Sequence, residues 1–238
     1  MLDDITSIIA QGAKDLKVIL PPGAGAAFRA YYDFLENRGQ NVNLTAISGV
    51  GEVAKMHFLD SIALLNVAKF KNAKVIDIGS GAGFPGIPLK IVEPSVDLTL
   101  LEPTGKRVDF LMGLLDKLGI DATVIKARAE ELAREPDKRE LFDIVLSRAV
   151  AKLNILCELC LPFVCIGGLF IAMKGIDTTD EINDAQNAIK TLGAEPHSHS
   201  DYTIPGTAVT HRAVIIRKIK TTQDKYPRRY AKIKNFPL

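Results

Sequence analysis

The chain has 238 residues, 47% hydrophobic and 24% charged, with a net charge of +2, the balance of a globular protein able to bury a large core. No apolar run is long enough to span a bilayer, and Asp3 and Asp4 stand where an export signal carries basic residues, so a cytoplasmic protein without membrane attachment is expected.

Taken in chain order, residues 1–20 predict an amphipathic helix stopped by Pro21-Pro22-Gly23. A second helix is expected over about 24–38, where Phe28, Tyr31, Tyr32 and Leu35 recur at helical spacing. Gly39 to Val50 reads as a turn holding Asn41-Val42-Asn43-Leu44-Thr45, whose glycosylation sequon carries no meaning in this compartment. A third helix, roughly 53–67, bears His57 and Asp60. Residues 1–68 are therefore expected to form an N-terminal helical cap, and 69–238 a second domain.

From Lys74 the pattern alternates. Strands are expected at 74–79, 96–102, 121–126, 141–147 and 167–173, and helices at 86–93, 105–118, 128–134, 152–163 and 178–192. Such alternation implies an α/β fold with a mostly parallel sheet covered by helices on both faces. Two late β-type runs, about 200–204 and 211–219, have no helix between them and predict an antiparallel addition at the sheet edge, making seven strands. The cysteines at 157, 160 and 165 lack partners to complete a zinc site, so no metal is expected; small residues packed on an apolar helix are the better reading.

The chemistry is concentrated between Lys74 and Glu102. A β-type run ends in Asp77, glycines follow at 79, 81, 83 and 86, and the next apolar run ends in Glu102. Gly81 to Gly86 satisfies G-x-G-x-x-G, a weak match alone, and a carboxylate about 20 residues on binds ribose hydroxyls in several nucleoside-binding folds. Asp77 discriminates between cofactors. A dinucleotide pyrophosphate would be repelled by it, whereas the sulfonium and ammonium of S-adenosylmethionine would be attracted, although an Asp here can also cap a turn. Ligands of open parallel sheets bind beyond the carboxyl ends of the strands. The third strand exits at Ala129-Glu130, placed to meet an adenine, the fourth at Ser147-Arg148-Ala149-Val150 and the fifth at Lys174-Gly175. The loop after the fourth strand lacks the Pro-Pro-aromatic signature of exocyclic-amine methylation, and no Pro-Cys pair exists for cytosine C5 attack. A target that needs neither proton removal nor covalent activation, such as guanine N7, is consistent with both absences.

The run Val75 to Leu89, with its proline-bearing Gly83-Phe84-Pro85-Gly86-Ile87-Pro88, resembles the first motif of the RsmG (GidB) family, bacterial guanine-N7 methyltransferases of small-subunit ribosomal RNA. Asn43-Leu44-Thr45, His57 to Ser61, Gly105-Lys106-Arg107, Arg128 to Glu131, Ser147-Arg148-Ala149, Lys174-Gly175 and Tyr226 to Arg229 extend the resemblance along nearly the whole chain. It implies a Rossmann-like class I methyltransferase with three groups of site residues. Asp77, Gly79, Gly81, Gly83, Phe84, Glu102, Ala129, Glu130 and Arg148 would serve S-adenosylmethionine; Arg148 and Lys174 would face the RNA and carry the catalytic roles; Asn43, His57 and Asp60 would shape the site from the cap. Met56 and Glu102 stand where the family more often has Arg and Asp, and the ending Tyr230 to Lys234 is bulkier than usual. The partner implied is small-subunit ribosomal RNA or a ribosomal particle, met by a monomer. The other readings are methylation of another RNA or small molecule, or an inactive RNA-binding assembly factor; an NAD-dependent dehydrogenase is the most distant.

The tail fits the RNA reading. His211 to Leu238 holds nine Lys/Arg against one acid, +8, which leaves −6 on residues 1–210. Arg228, Arg229, Lys232 and Lys234 are expected to contact phosphates together, while a solvated tail remains the plainer alternative.

Overall fold

The computed structural model of the protein describes residues 4–39, 44, 47–148 and 151–238. The expectations at Asn41 to Asn43, Thr45, Ala149 and Val150 lie outside the described residues.

Seven strands form one sheet: β1 Lys74–Ile78, β2 Asp97–Leu101, β3 Thr123–Ile125, β4 Phe142–Arg148, β5 Val164–Gly175, β6 Ala194–Thr203 and β7 Thr210–Lys218. Their order is β3-β2-β1-β4-β5-β7-β6. The first five run parallel. β7 is antiparallel to β5, and β6 is antiparallel to β7, so the antiparallel strand sits one place inside the edge. The chain winds outward from β1 to β3 and then returns to β4, which puts the crossover crevice between β1 and β4.

The central strands β1, β2 and β4 are buried on both faces, so they read as continuous apolar runs, with successive side chains sent to opposite layers. Val75, Leu98, Leu100, Ile144, Leu146 and Ile171 belong to one core cluster; Ile76, Leu101, Val145, Phe170, Ala172 and Ile216 belong to the other. The first layer is closed by α1 Ile5–Asp15, α2 Ala24–Gly39, α5 Gly86–Val92 and α6 Gly105–Leu118, with Ile5, Phe28, Tyr31, Phe58, Ile87 and Leu111 in the same cluster as the strands. The cap therefore shares a core with the sheet. The second layer holds α7 Ala129–Leu132, α8 Leu153–Cys160, α9 Thr179–Asp184, α10 Gln186–Thr191 and α11 Tyr230–Asn235, from which Leu132, Cys157, Ile189 and Ile233 enter the second cluster.

The structure departs locally from the sequence expectation at four places. The third cap helix is not uniform: α3 Val50–Val53 passes into a π-helical turn, Ala54–Leu59, then α4 Asp60–Ile62 and a 3-10 turn, Ala63–Asn66. The wide turn rotates His57 and Asp60 relative to an ordinary helix, a feature common at functional sites. The helix expected at 178–192 is broken at Ala185 into α9 and α10. β6 begins at Ala194 rather than near 200, because Glu195 to Ser200 are polar edge residues that lack apolar alternation and gain strand form from pairing with β7. The C-terminal α11 was not expected, and its anchor Ile233 is fully buried.

The tail also differs from a solvated or wholly RNA-facing segment. Arg228 donates from its backbone and guanidinium to Glu158, which is completely buried on α8, at 2.6–3.1 Å. Arg139 donates to the carbonyls of Thr222 and Tyr226, and Arg134 to that of Pro227. Lys218 is buried against Glu140 and the Leu161 carbonyl. Arg228 is thus a fastener, which corrects its grouping with the phosphate contacts, while Arg229, Lys232 and Lys234 remain exposed.

Candidate active site

A cavity of about 720 Å³ opens at the carboxyl edge of the sheet, where β1, β2, β4 and β5 end and antiparallel β7 begins. Its lining includes Gly79, Gly81, Phe84, Glu102, Arg107, Arg148, Lys174 and His211.

The β1–β2 wall is made by the glycine loop. Gly79 and Gly81 have φ of +74° and +58°, conformations that a side chain disfavours, and the loop turns back so that the Gly79 and Ser80 N–H groups donate to the Leu101 carbonyl. Glu102 is almost wholly buried; one oxygen accepts from Gly81 N–H at 3.1 Å and the other from Thr104 N–H at 3.0 Å. It thereby ties the loop to the start of α6. A carboxylate offers about four acceptor positions, so two donors leave capacity for hydroxyl groups of a ligand.

Asp77 lies beneath this wall and does not line the cavity. Its Oδ2 accepts from Gly86 N–H at 3.0 Å, and its Oδ1 is buried with no hydrogen-bond partner among the described residues. Burial pushes its carboxyl up to about 7, against the opposing pull of the Gly86 bond and of Arg148. A buried acid with an unused oxygen under a glycine loop suits a cationic ligand and would oppose a pyrophosphate. Gly83 also stands back from the cavity. A Cβ there would lie 2.7 Å from the Tyr31 hydroxyl, which instead closes on the Ala82 carbonyl at 2.6 Å. Ala129 and Glu130 are buried in the single turn of α7 beyond β3 and do not line the cavity either.

The opposite wall is assembled from distant segments. Arg148, at the end of β4, donates to the Met56 carbonyl and to Asp60 Oδ2, both at 3.3 Å, and lies 3.2 Å from His57 Nδ1. Its guanidinium sits 4.9 Å from the centre of the Phe84 ring, a cation–π contact. Phe84 in turn stacks on His57 and Tyr31, with centroids 4.5 and 5.3 Å away. Burial and the neighbouring Arg148 charge push the His57 imidazole down to about 4, so it is neutral near pH 7. Lys174 Nζ donates to the Ala151 carbonyl at 2.6 Å and to Glu181 at 2.7 Å while still facing the cavity.

Asp60 is the junction of this wall. It is 1% exposed and accepts from Arg148, from Tyr202 Oη at 3.0 Å and from His211 Nδ1 at 2.8 Å. The sequence singled out Asp60 and Arg148 but gave no sign of their contact, and it missed His211, Tyr202 and Tyr31. His211 was findable in principle: in an antiparallel strand inserted beside β5, the first residues, not the last, reach the carboxyl edge.

Among the described residues no group of three or more His, Cys, Asp or Glu could hold a metal ion, and no helix is long and apolar enough to cross a membrane. Cys157 and Cys160 are buried on α8, where burial pushes both thiols up.

The strand order, the glycine loop after β1 and the buried carboxylate after β2 define the class: a Rossmann-like, class I S-adenosylmethionine-dependent methyltransferase fold. Solved structures share it. M. jannaschii TYW2 in complex with AdoMet superposes with a TM-score of 0.56 at 14% identity, over 75% of this chain and 80% of that one. An S-adenosylmethionine-dependent O-methyltransferase from Thermotoga maritima gives 0.52 at 17% identity, over 79% and 72%. The family profile of GidB, rRNA small subunit methyltransferase G, matches residues 25–206. Proteins named ribosomal RNA small subunit methyltransferase G from Clostridium perfringens and Thermoanaerobacter pseudethanolicus are 44% and 42% identical, covering 89% and 100% of both chains in each comparison. The chain belongs to the rRNA small subunit methyltransferase G family, as its motifs led us to expect.

Proposed function

We propose that this protein transfers a methyl group from S-adenosylmethionine to N7 of a guanine in small-subunit ribosomal RNA. The observation that carries the reading is the polarity of one cavity: Glu102, with Asp77 beneath, at one end, and Arg148, Lys174 and His211 at the other. The names of its 42–44% identical relatives supply the substrate class.

When bound, S-adenosylmethionine supplies an electrophilic methyl on a cationic sulfur. In this reading Gly79, Gly81, Gly83 and Phe84 shape its cradle, Glu102 takes the ribose hydroxyls, and Asp77 meets the positive charge through the loop. Ala129 and Glu130 bound the adenine end from behind the lining. Arg148 and Lys174 hold the acceptor nucleotide for in-line approach. Guanine N7 attacks with its own lone pair and loses no proton, so alignment and charge complementarity suffice. Neutral His57, stacked on Phe84 and bonded to the Arg148 side, is a scaffold rather than a base. Residues 1–68 act as the cap over the acceptor side and 69–238 as the cofactor-binding body. The protein works as a cytoplasmic monomer on small-subunit ribosomal RNA or a ribosomal particle.

The test is nucleoside mapping of small-subunit RNA from cells with and without this protein, joined to transfer of labelled methyl by the purified protein. We expect one N7-methylguanine that disappears with the gene and returns on adding protein and S-adenosylmethionine. An unchanged nucleoside profile overturns the proposal.

A further inference from the structure

His211 is a cavity residue with no role in the sequence motifs. It is the second residue of β7, pairs across the sheet with Gly175 of β5 and Tyr202 of β6, and reaches the same edge as Arg148 and Lys174. Its ring is fixed: Nδ1 is 2.8 Å from Asp60 Oδ1, and the Tyr202 ring stands edge-on at 6.3 Å. Because Asp60 is an acceptor, Nδ1 is the donor, and Nε2 makes no hydrogen bond among the described residues. The side chain is 25% exposed, so Nε2 is left for a ligand at the cavity mouth.

Building on the RNA reading above, we propose that His211 is a further acceptor-binding residue, whose Nε2–H donates to a phosphate oxygen of the RNA strand that carries the target nucleotide. The charges around it favour an anion there. Arg148 shares Asp60 with His211, and Lys174, which is paired with Glu181, comes from the adjoining strand. Arg212, next in β7, is neutralised by Asp201, and neutral His57 adds no charge. Asp60 is already satisfied by three donors, and Glu181 is bonded to Lys174 and to the Leu153 N–H. The Asp60 bond raises the His211 imidazole above its ordinary value against the opposing effects of burial and Arg148, so the donor at Nε2 is present in acid and lost as pH rises through that raised value.

The experiment measures binding of small-subunit particles to the full-length protein loaded with S-adenosylhomocysteine, from pH 6 to 8.5 and at several salt concentrations. Wild type, His211→Gln and His211→Arg are compared, with cofactor affinity and melting temperature recorded for each. Wild-type affinity should fall about fivefold as pH rises, and its log–log salt slope should become shallower by roughly one phosphate contact. His211→Gln should bind weakly with a flat pH profile, His211→Arg tightly with a flat profile, and all three should bind cofactor alike. A His211→Gln protein that keeps the wild-type pH dependence overturns the proposal, as does failure of His211→Arg to hold tight binding at high pH. Methyl transfer is followed in parallel. A wild type that binds with the expected pH profile yet leaves guanine N7 unmodified supports the His211 contact and contradicts the proposed reaction instead.

Discussion

The two walls of the cavity are built in opposite ways. In the β1–β2 wall the bond from Gly81 to Glu102 spans 21 residues, and most of its contacts are backbone. In the other wall Arg148 reaches back 88 residues to Asp60, and His211 reaches back 151. The first wall forms when one β-loop-α-β unit closes. The second exists only when the cap, the sheet and the β6–β7 hairpin are all in place. The acidic wall is therefore a local device, while the cationic wall reports whether the whole molecule is assembled, and the two answer acid in opposite directions.

That opposition gives the largest expected effect. The Asp77 carboxyl is pushed up from 3.8 to about 7, and the His57 imidazole down from 6.5 to about 4. Between pH 4 and 7 folded Asp77 keeps a proton that the unfolded chain has released, so its contribution to stability falls as pH rises. Between pH 4 and 6.5 the unfolded chain holds a proton that folded His57 lacks, so that contribution rises with pH. Each is on the order of 3 kcal/mol, and in the wild type they offset. Removing one exposes the other. Relative to wild type, the stability of Asp77→Asn should climb with pH across this window, and that of His57→Gln should fall, both read from urea unfolding. Two difference curves of the same sign would break the contrast between the walls. With the S-adenosylmethionine cation over Asp77, as proposed above, cofactor should stabilise the protein more at pH 7 than at pH 5.

Asp60→Asn tests the second wall more directly. The amide turns an N–H₂ toward donors and leaves Arg148 without its carboxylate, at a cost of about 3 kcal/mol. Affinity for S-adenosylmethionine should change little, because the Glu102 wall is intact. The KM for ribosomal particles should rise and kcat fall. Equal loss of cofactor and RNA affinity would mean that the two walls are one unit.

The same difference explains what the sequence made legible. The strands and their mostly parallel arrangement, the loop from Asp77 to Gly86 and Glu102 could be read because apolar runs, glycines and a strand-end acid are neighbours along the chain. Asp60 and Arg148 were recognised as residues but not as a contact, since nothing local encodes a bond across 88 positions. His211 was hidden by strand direction. Gly83 and Asp77 lie one layer behind the cavity lining, because spacing along a loop does not say which turn faces inward. The short α7 likewise carries Ala129 and Glu130 behind the lining rather than in it.

The tail gives the smallest effects and the same lesson of like residues in unlike settings. Arg228 and Arg229 are adjacent, yet Arg228 is fastened to buried Glu158 whereas Arg229, Lys232 and Lys234 are exposed. Arg128 lies 5.8 Å from the ring of Tyr230, which anchors the start of α11 next to the end of β3. Arg228→Ala strands a buried carboxylate and should cost about 2 kcal/mol in chemical unfolding. Changing Arg229, Lys232 and Lys234 together to Gln should leave the melting temperature in place. It should weaken binding to small-subunit particles by about 1 kcal/mol and make the log–log salt slope shallower by up to about 2, the sign of lost phosphate contacts. If the triple variant binds RNA with the wild-type salt slope, the exposed charges serve solubility alone, and the tail contributes only its anchor.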